Sequence, residues 1–359
     1  QRMIFSWILL GASMLLLAAT VLGKVPLHDW WVRACEFPRV QILSLAGLCA
    51  ALTFFSDPAW QLTTLATCVI VIAVQGWHIL PWTPLYPVQM QKAEQGDGDH
   101  CITLLISNVL TPNRNAEALI SQVHETQPDL ILTLESDDWW EKQLDTALEN
   151  DWPHSVKVPQ DNLYGMHLYS RMPLHDVSVK RLIQDDIPSI HGKIELRNGE
   201  QIYFHAVHPR PPSPNESEST LWRDAELLLV SKQIEEHGGP ALLFGDLNDV
   251  AWSRTTRMFC RVSGMLDLRR GRGMYSTFNA DYRLLRWPLD HIFTSEHFTL
   301  GGMRRLKHIG SDHFPIIATL CYRPSRADEN DKPETEEGDE EHAKETIKEA
   351  KANPEERDD

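Results

Sequence analysis

The pattern of apolar and polar positions changes character at about residue 80. Residues 3–22 run almost without a polar break (Ile4, Phe5, Trp7, Ile8, Leu9, Leu10, then Met14, Leu15, Leu16 and Leu17), and 40–55 and 62–80 repeat the signal with no Lys or Arg inside them. The first run is roughly the length needed to cross a hydrocarbon core of ~30 Å. Three transmembrane helices are therefore expected, making 1–80 a membrane anchor. A cleaved signal peptide would account for the first run alone. Trp30, Trp31, Trp60, Trp77 and Trp82 lie near the expected helix ends, where amphipathic rings favour the headgroup region.

Beyond the anchor the apolar runs shorten. Pro81, Pro84 and Pro87 followed by polar residues to 99 make 81–100 a linker, stiffened by proline first and flexible afterwards. Strand-length runs then stand at 102–106, 130–134, 165–169, 177–182, 187–196, 202–207, 241–244, 291–294 and 314–320. Two stretches read as helices. Residues 117–126 carry Ala118, Leu119 and Val123 on one face with Asn115 or Asn113 as cap, and 219–237 carry Leu221, Ala225, Leu228, Leu229 and Ile234, closed by Gly238-Gly239-Pro240. Many strands with few helices predict an α/β fold of sheet packed on sheet with helices outside. One such domain would fill 101–324 with a substantial core.

Charge adds three features. The net −16 divides as 5 Lys+Arg against 4 Asp+Glu for 1–96, 23 against 31 for 97–324, and 6 against 15 for 325–359. The last segment is so acidic and poor in apolar residues that a solvated, disordered tail is expected. Residues 254–307 run the other way, with eleven cations against Asp267, Asp281, Asp290 and Glu296, a local excess that favours an anionic substrate. By the positive-inside rule, Lys24, Arg33 and Arg39 outweigh Arg2 and put the loop after the first span, and with it the enzyme domain, on the cytoplasmic side of what reads as a bacterial inner membrane. Six scattered cysteines without a Cys-x-x-Cys pair predict neither a disulfide framework nor a zinc site.

The candidate chemistry stands where the apolar runs stop. Asn108 follows the run ending at Ile106, Glu135 the run ending at Leu134, His208 the run ending at Val207, and Asp246 and Asn248 the run ending at Gly245. Loops at strand ends carry the groups that a rigid sheet positions. Asp246 and Asn248, two apart in extended backbone, share a side and suit holding a metal, a water or a phosphate oxygen, although Asp-x-Asn after glycine also makes good turns. Asp290 can orient an imidazole elsewhere and raise its basicity.

Taken in order, Ser107-Asn108-Val109, Leu134-Glu135, Tyr164-Gly165-Met166-His167-Leu168-Tyr169-Ser170-Arg171, Val207-His208-Pro209, Gly245-Asp246-Leu247-Asn248, Leu289-Asp290-His291-Ile292 and Ser311-Asp312-His313-Phe314-Pro315 closely resemble the endonuclease/exonuclease/phosphatase superfamily of metal-dependent phosphodiesterases. The resemblance implies a four-layer α/β sandwich related to DNase I and a membrane-anchored, Mg²⁺-dependent phosphodiesterase. It implies that Glu135, assisted by Asn108 and Asp312, holds Mg²⁺ or Mn²⁺, for which carboxylate and amide oxygens are suitable ligands. Asp246 and Asn248 would position the attacking water, His313 oriented by Asp290 would take a proton or bind a phosphate oxygen, and His208 would donate to the phosphate or leaving group. Asp246 and His313 both stay open as the general base.

Two departures from the pattern bear on substrate. Leu134 stands where many relatives have Gln, and Pro209-Arg210-Pro211-Pro212-Ser213-Pro214 is a rigid loop better suited to a pocket edge than to a duplex. Nucleic acid, a phospholipid and a small phosphate ester all remain candidate substrates, since fold cannot choose among them. The reading from another class is a catalytically silent membrane scaffold, which would have no physical reason to keep so many like charges together.

Overall fold

The computed structural model describes residues 2–94, 98–211 and 217–353. Positions 95–97 of the expected linker, 212–216 of the proline-rich loop and 354–359 of the expected tail lie outside the described residues.

The chain begins with α1 (Arg2–Leu22), α2 (Trp30–Arg33), α3 (Arg39–Thr53) and α4 (Pro58–Ile79). Of the three expected spans, α1 and α4, the latter continuing through Trp82, are long and apolar enough to cross a membrane. The second is different. Pro38 caps α3 and interrupts the helical ladder, so α3 qualifies only together with Trp30–Glu36, from which it is bent by 64°. Polar groups turn into this bundle: Arg39 donates to Gln75 Oε1 (3.0 Å) and to the Gly23 carbonyl (3.3 Å), and Gln75 donates to Thr20 Oγ1 (2.9 Å). Ile4, Ile8, Leu15, Leu45, Leu48 and Val69 turn outward. That inversion of a soluble bundle suits an apolar solvent, where every buried polar group must be met internally.

The remaining elements are β1 (Cys101–Asn108), α5 (Ala116–Thr126), β2 (Leu130–Leu134), α6 (Asp138–Leu148), β3 (His154–Val158), β4 (Met166–Ser170), β5 (Leu174–Lys180), β6 (Ser189–Glu195), β7 (Gln201–Ala206), α7 (Leu221–His237), β8 (Ala241–Asp246), α8 (Arg254–Ser263), β9 (Leu266–Asp267), β10 (Asp290–Thr294), β11 (Phe298–Arg305), β12 (Ile316–Tyr322) and α9 (Asp339–Ala352). They form two six-stranded sheets, ordered β11-β12-β1-β2-β4-β3 and β5-β6-β7-β8-β10-β9. Among the described strands, β1·β2 and β7·β8 pair parallel and the other pairs are antiparallel.

The apolar runs are continuous because both faces of the central strands are covered. Ile102, Leu104 and Ile106 of β1 and Leu242 and Phe244 of β8 enter the cluster between the sheets. Leu105 and Ile131 meet α5 and α6 on one outer face, while Leu243 and Phe293 meet α7 and α8 on the other. The result is the four-layer α/β sandwich, each fully buried Leu, Ile or Phe contributing about 1.5–3 kcal/mol.

Four expectations are corrected. Cys101 and Cys321, paired across β1 and β12, form a disulfide at a sequence separation of 220, a contact that spacing along the chain does not reveal. Residues 325–353 are not a free tail: α9 turns Ala343, Ile347 and Ala350 onto α7 and α8, and Asp339 accepts two hydrogen bonds of 2.7 Å from Arg261. The segment after Pro81 is not a free linker either, since Met90 is buried in the central cluster and Gln91 and Ala93 bond Leu300 of β11. Asn115 holds the N-cap position of α5 but makes no side-chain cap bond; Asn113 Oδ1 accepts from the Asn115 N–H instead.

The first four helices and the two-sheet domain share a packed junction. Arg33, buried, bonds Glu36 (3.2 Å) and Asp224 (3.3 Å), Trp252 Nε1 donates to the Glu36 carbonyl (2.8 Å), and Trp82 Nε1 donates to Asp267 (3.0 Å). Ile79 and Trp82 pack with Val250, Ala251, Trp252 and Leu289. This junction lies directly behind the turn that follows β8.

A buried row of imidazoles on β6 and β7 carries a pH prediction. His191 bonds Ser189 (2.7 Å) and His205 (2.7 Å), and burial holds His191 down at about 4 and His205 well below its ordinary value. A depressed folded value means that the unfolded chain binds more protons between about 4 and 6.5, so stability is full above that window and lost as pH falls through it. His191 alone accounts for roughly 3 kcal/mol by pH 4. The drop in Tm between pH 7 and pH 5 is expected to shrink in His191→Asn, as scanning calorimetry would read.

Candidate active site

One edge of the sandwich collects the polar residues because of strand direction. The parallel strands β1, β2 and β8 end there with Asn108, Glu135 and Asp246, and β7 runs on through Val207 to His208. The antiparallel strand β10 starts there, its Asp290 in register with Asp246, and Ser311, Asp312 and His313 precede β12, whose Ile316 is in register with Ile106. Six segments distant in sequence thus deliver their side chains to one place.

Backbone geometry tightens the site. Gly245 has φ +146°, and a Cβ there would stand 1.9 Å from the Val207 carbonyl oxygen. Only glycine lets β8 approach the chain this closely beside His208. Glu135 and Asn248 both take positive φ (56° and 50°), a costly conformation for residues with a Cβ.

The side chains form a connected set. Asn108 Nδ2 donates to Glu135 Oε1 (2.7 Å) and Asp246 Oδ2 (3.1 Å), while its Oδ1 accepts from the Leu110 N–H (3.1 Å). His313 Nδ1 bonds Asp290 Oδ2 at 2.8 Å, and its Nε2 stands 3.5 Å from Asp246 Oδ2, with His208 Nε2 3.9 Å from the same oxygen. Asp246 Oδ1 accepts the Asn248 N–H (2.9 Å), and Asn248 Nδ2 donates to the Pro209 carbonyl (3.0 Å). Ser311 Oγ ties the last loop to β1 by donating to the Asn108 carbonyl (2.8 Å).

Charge inside this edge is unbalanced. Burial, with Asp246 and Asp312 nearby, pushes Glu135 up to about 8 despite the Asn108 hydrogen bond. Burial also raises Asp246 and Asp312. Burial opposes the His313 imidazolium, but Asp290 and Asp246 outweigh it and hold the ring up at about 10. His208, fully buried, is held down at about 4 and stays neutral. Glu135 Oε2, Asp290 Oδ1 and His208 Nδ1 have no hydrogen-bond partner among the described residues. Clustered carboxylates with an orphaned oxygen are the donor set of a hard divalent cation. Donor atoms of Asp246, Asp290 and His313 also lie within 4.8 Å of one another, a proximity that their mutual hydrogen bonding accounts for.

Residues 105–313 match the Endonuclease/Exonuclease/phosphatase family. The chain belongs to that family. The matched residues run from β1 to His313 and so include the sheet edge just described. A UPF0294 protein of Vibrio campbellii (strain ATCC BAA-1116) is 28% identical over 135 residues, which are 37% of this chain and 44% of that protein. The match thus spans less than half of that relative. Solved structures share the fold. An endonuclease/exonuclease/phosphatase family protein from Bacteroides thetaiotaomicron (18% identity, TM-score 0.51) is matched over 62% of this chain and 98% of its own. The D. rerio TDP2 complexed with single-strand DNA product (15%, TM-score 0.51) is matched over 62% and 99%, and the human nocturnin catalytic domain (14%, TM-score 0.51) over 62% and 94%.

All eight residues expected in the site are brought to this edge. Asn108 turns its amide nitrogen, not its oxygen, toward Glu135 and braces that carboxylate. His167 and Arg171 lie elsewhere: His167 is buried between Ser136 (2.6 Å) and Glu141 (3.0 Å), and Arg171 stacks on Trp152. The basic stretch 254–307 does not line the site as a whole. Arg269 is fully buried against Asp267 (3.0 Å) and Arg261 is taken by Asp339, so these charges serve the fold. Sequence reasoning missed Arg223, a buried cation within α7 that bonds Asp224 (2.8 Å) and donates to the Asn248 carbonyl (2.8 Å), fixing the turn behind Asp246. A lone Arg among the apolar positions of a helix was its signal.

Proposed function

We propose that this protein is a membrane-anchored phosphodiesterase that requires Mg²⁺ or Mn²⁺. The observation that carries the reading is Glu135: a half-buried side chain whose Oε2 is shielded from solvent and unpartnered among the described residues, beside Asp246 and Asp312 and with its proton held up to about 8. Glu135 and Asp312 would hold the cation with Asn108 alongside. When bound, such an ion neutralises charge on the phosphoryl group and on the leaving oxygen.

The chain's own residues supply the rest. His313, clamped by Asp290, is an imidazolium at neutral pH and donates from Nε2 to a phosphate oxygen. That assigns proton acceptance to Asp246, whose Oδ1 is fixed by the Asn248 N–H and whose Oδ2 faces both histidines. Water then forms the new P–O bond, one ester P–O bond breaks, and the water's proton passes by way of Asp246 to the released alkoxide. Neutral His208 donates a hydrogen bond to the phosphoryl oxygens. The test is a hydrolysis panel with the full chain in lipid: single-stranded DNA, a phospholipid and bis(p-nitrophenyl) phosphate, with Mg²⁺, with Mn²⁺ and with excess EDTA. Full activity in EDTA would sink the mechanism.

We further propose that the enzyme domain lies on the oxidising face of the membrane, opposite to the side that the charge count favours. Disulfides persist in oxidising compartments, and Cys101–Cys321 joins two core strands. Arg33 and Arg39, which dominate the count, are buried and bonded within the protein rather than free in a loop, which leaves Lys24 against Arg2. Protease added to intact spheroplasts is expected to cut the domain, and the chain trapped from cells with N-ethylmaleimide is expected to change gel mobility on reduction. A protected domain with free Cys101 and Cys321 thiols would put it in the cytoplasm.

A further inference from the structure

The segment between β9 and β10 leaves the active site, reaches the anchor and returns. Phe278 forms backbone bridges to both His313 and Trp287, its ring lies 5.0 Å from the His313 ring, and the Ala280 N–H donates to the Asp312 carbonyl (2.6 Å). Arg286 closes the base of the loop by donating to the Asn279 (3.2 Å) and Ala280 (2.9 Å) carbonyls. Trp287 meets Phe37 edge-on at 5.9 Å. At the tip, the Leu284 carbonyl accepts a hydrogen bond from Gln41 Nε2 (2.8 Å) on the first turn of α3.

That tip has the composition of an interfacial segment. Tyr282, Arg283, Leu284 and Leu285 are all exposed, Leu284 by 85%. Two large aliphatic side chains turned to solvent beside an active site stay hydrated at a free-energy cost unless something apolar receives them. What receives them follows from depth. Gln41 begins the stripe that continues through exposed Leu45 and Leu48, one and two turns further along α3. Arg39, one half-turn before Gln41, is level with Gln75 of α4 through their hydrogen bond, and Trp77, 76% exposed, stands two residues beyond Gln75. The leucines thus lie at the height where the apolar helix surface gives way to an exposed tryptophan, the position of a membrane's headgroup boundary. Arg283 is set between Tyr282 and Leu284, where a guanidinium meets lipid phosphates.

We propose that loop 281–285 is seated in the bilayer surface and that the active site draws its phosphodiester from a membrane lipid. The hydrolysis is the one given above, with water consumed and an alcohol and a phosphomonoester produced. The substrate assignment rests on the metal-dependent hydrolase reading; the seating of the loop does not.

The experiment uses the full chain in vesicles of phosphatidylethanolamine and phosphatidylglycerol. Leu284→Cys, in a Cys35→Ser, Cys260→Ser background, carries an environment-sensitive fluorophore. Quenching by nitroxide-labelled lipid with little quenching by aqueous iodide is expected, and iodide quenching equal to that at exposed Asn150→Cys would overturn the seating. In parallel, Leu284→Asp with Leu285→Asp is expected to lower kcat/KM on vesicle phospholipid at least roughly tenfold and on bis(p-nitrophenyl) phosphate by less than about twofold. An equal fall on both substrates, or single-stranded DNA cleaved in preference to vesicle lipid with no effect of the pair, would overturn the substrate class. A chain that hydrolyses none of the three with metal present would sink the hydrolase reading instead, and the fluorophore would still decide the seating.

Discussion

Glu135→Gln is expected to lower kcat by roughly 10³-fold or more, because it removes the charge that holds the cation against the phosphoryl group. The same substitution is expected to stabilise the metal-free protein. Burial and neighbouring carboxylates hold the Glu135 proton up to about 8, so between about 4.5 and 8 the folded chain binds more protons than the unfolded one. Stability therefore falls as pH rises through that window, by up to a few kcal/mol at neutral pH. Glutamine removes that cost, and its Tm at pH 7.5 without metal should exceed the parent's by several degrees. Adding Mn²⁺ should raise the parent's Tm and leave that of Glu135→Gln nearly unchanged. A variant that keeps turnover, or that gains as much from Mn²⁺ as the parent, would remove Glu135 from the metal site.

Asp290→Asn is expected to cost about 10²–10³-fold in kcat with a smaller change in KM, since the asparagine still accepts from His313 Nδ1 but no longer stabilises a charged ring. The pH profile distinguishes this from a packing defect. In the parent, burial is outweighed by Asp290 and Asp246, and His313 stays protonated up to about 10. Losing Asp290 lowers the ring toward its ordinary value, so the variant's activity should fall above roughly pH 7 where the parent's holds. A profile unchanged in shape would show that His313 does not act as a cation. For stability the sign is the reverse of the His191 case: a raised histidine adds stability that is full below about 6.5 and lost as pH climbs through 10.

Half of the site was legible in the sequence because Asn108, Glu135, His208 and Asp246 each follow an apolar run, while Asp312 and His313 entered only through the family resemblance. Glu135 after Leu130-Ile131-Leu132-Thr133-Leu134 and Asp246 after Ala241-Leu242-Leu243-Phe244-Gly245 announce strand ends, and strand ends in a two-sheet fold meet at an edge. The sandwich followed from the same runs. What stayed hidden depends on partners far along the chain. The stripe of Ala343, Ile347 and Ala350 has helical spacing, but with only one large side chain its worth depends on the α7 and α8 surface that receives it, and acidic composition masked it. Helix α6 was overlooked although Asp137 caps it through the Trp140 N–H (3.0 Å) and Trp140, Leu144 and Leu148 repeat every four residues. The loop at Tyr282 to Leu285 carries no motif, and only its hydrogen bond to α3 gives its leucines a direction.

The Cys101–Cys321 bond makes the enzyme domain, in covalent terms, a ring. It joins the first strand of the sandwich to the last across 220 residues, so a single cut anywhere between them leaves two pieces still tethered. Loop closure on that scale removes about 5 kcal/mol of entropy from the unfolded chain. The bond also lies at the end of β1 away from Asn108, so the seam of the ring is kept clear of the catalytic edge. A nicked domain can therefore stay assembled, and the loop that follows His208 can be cut without setting either half free.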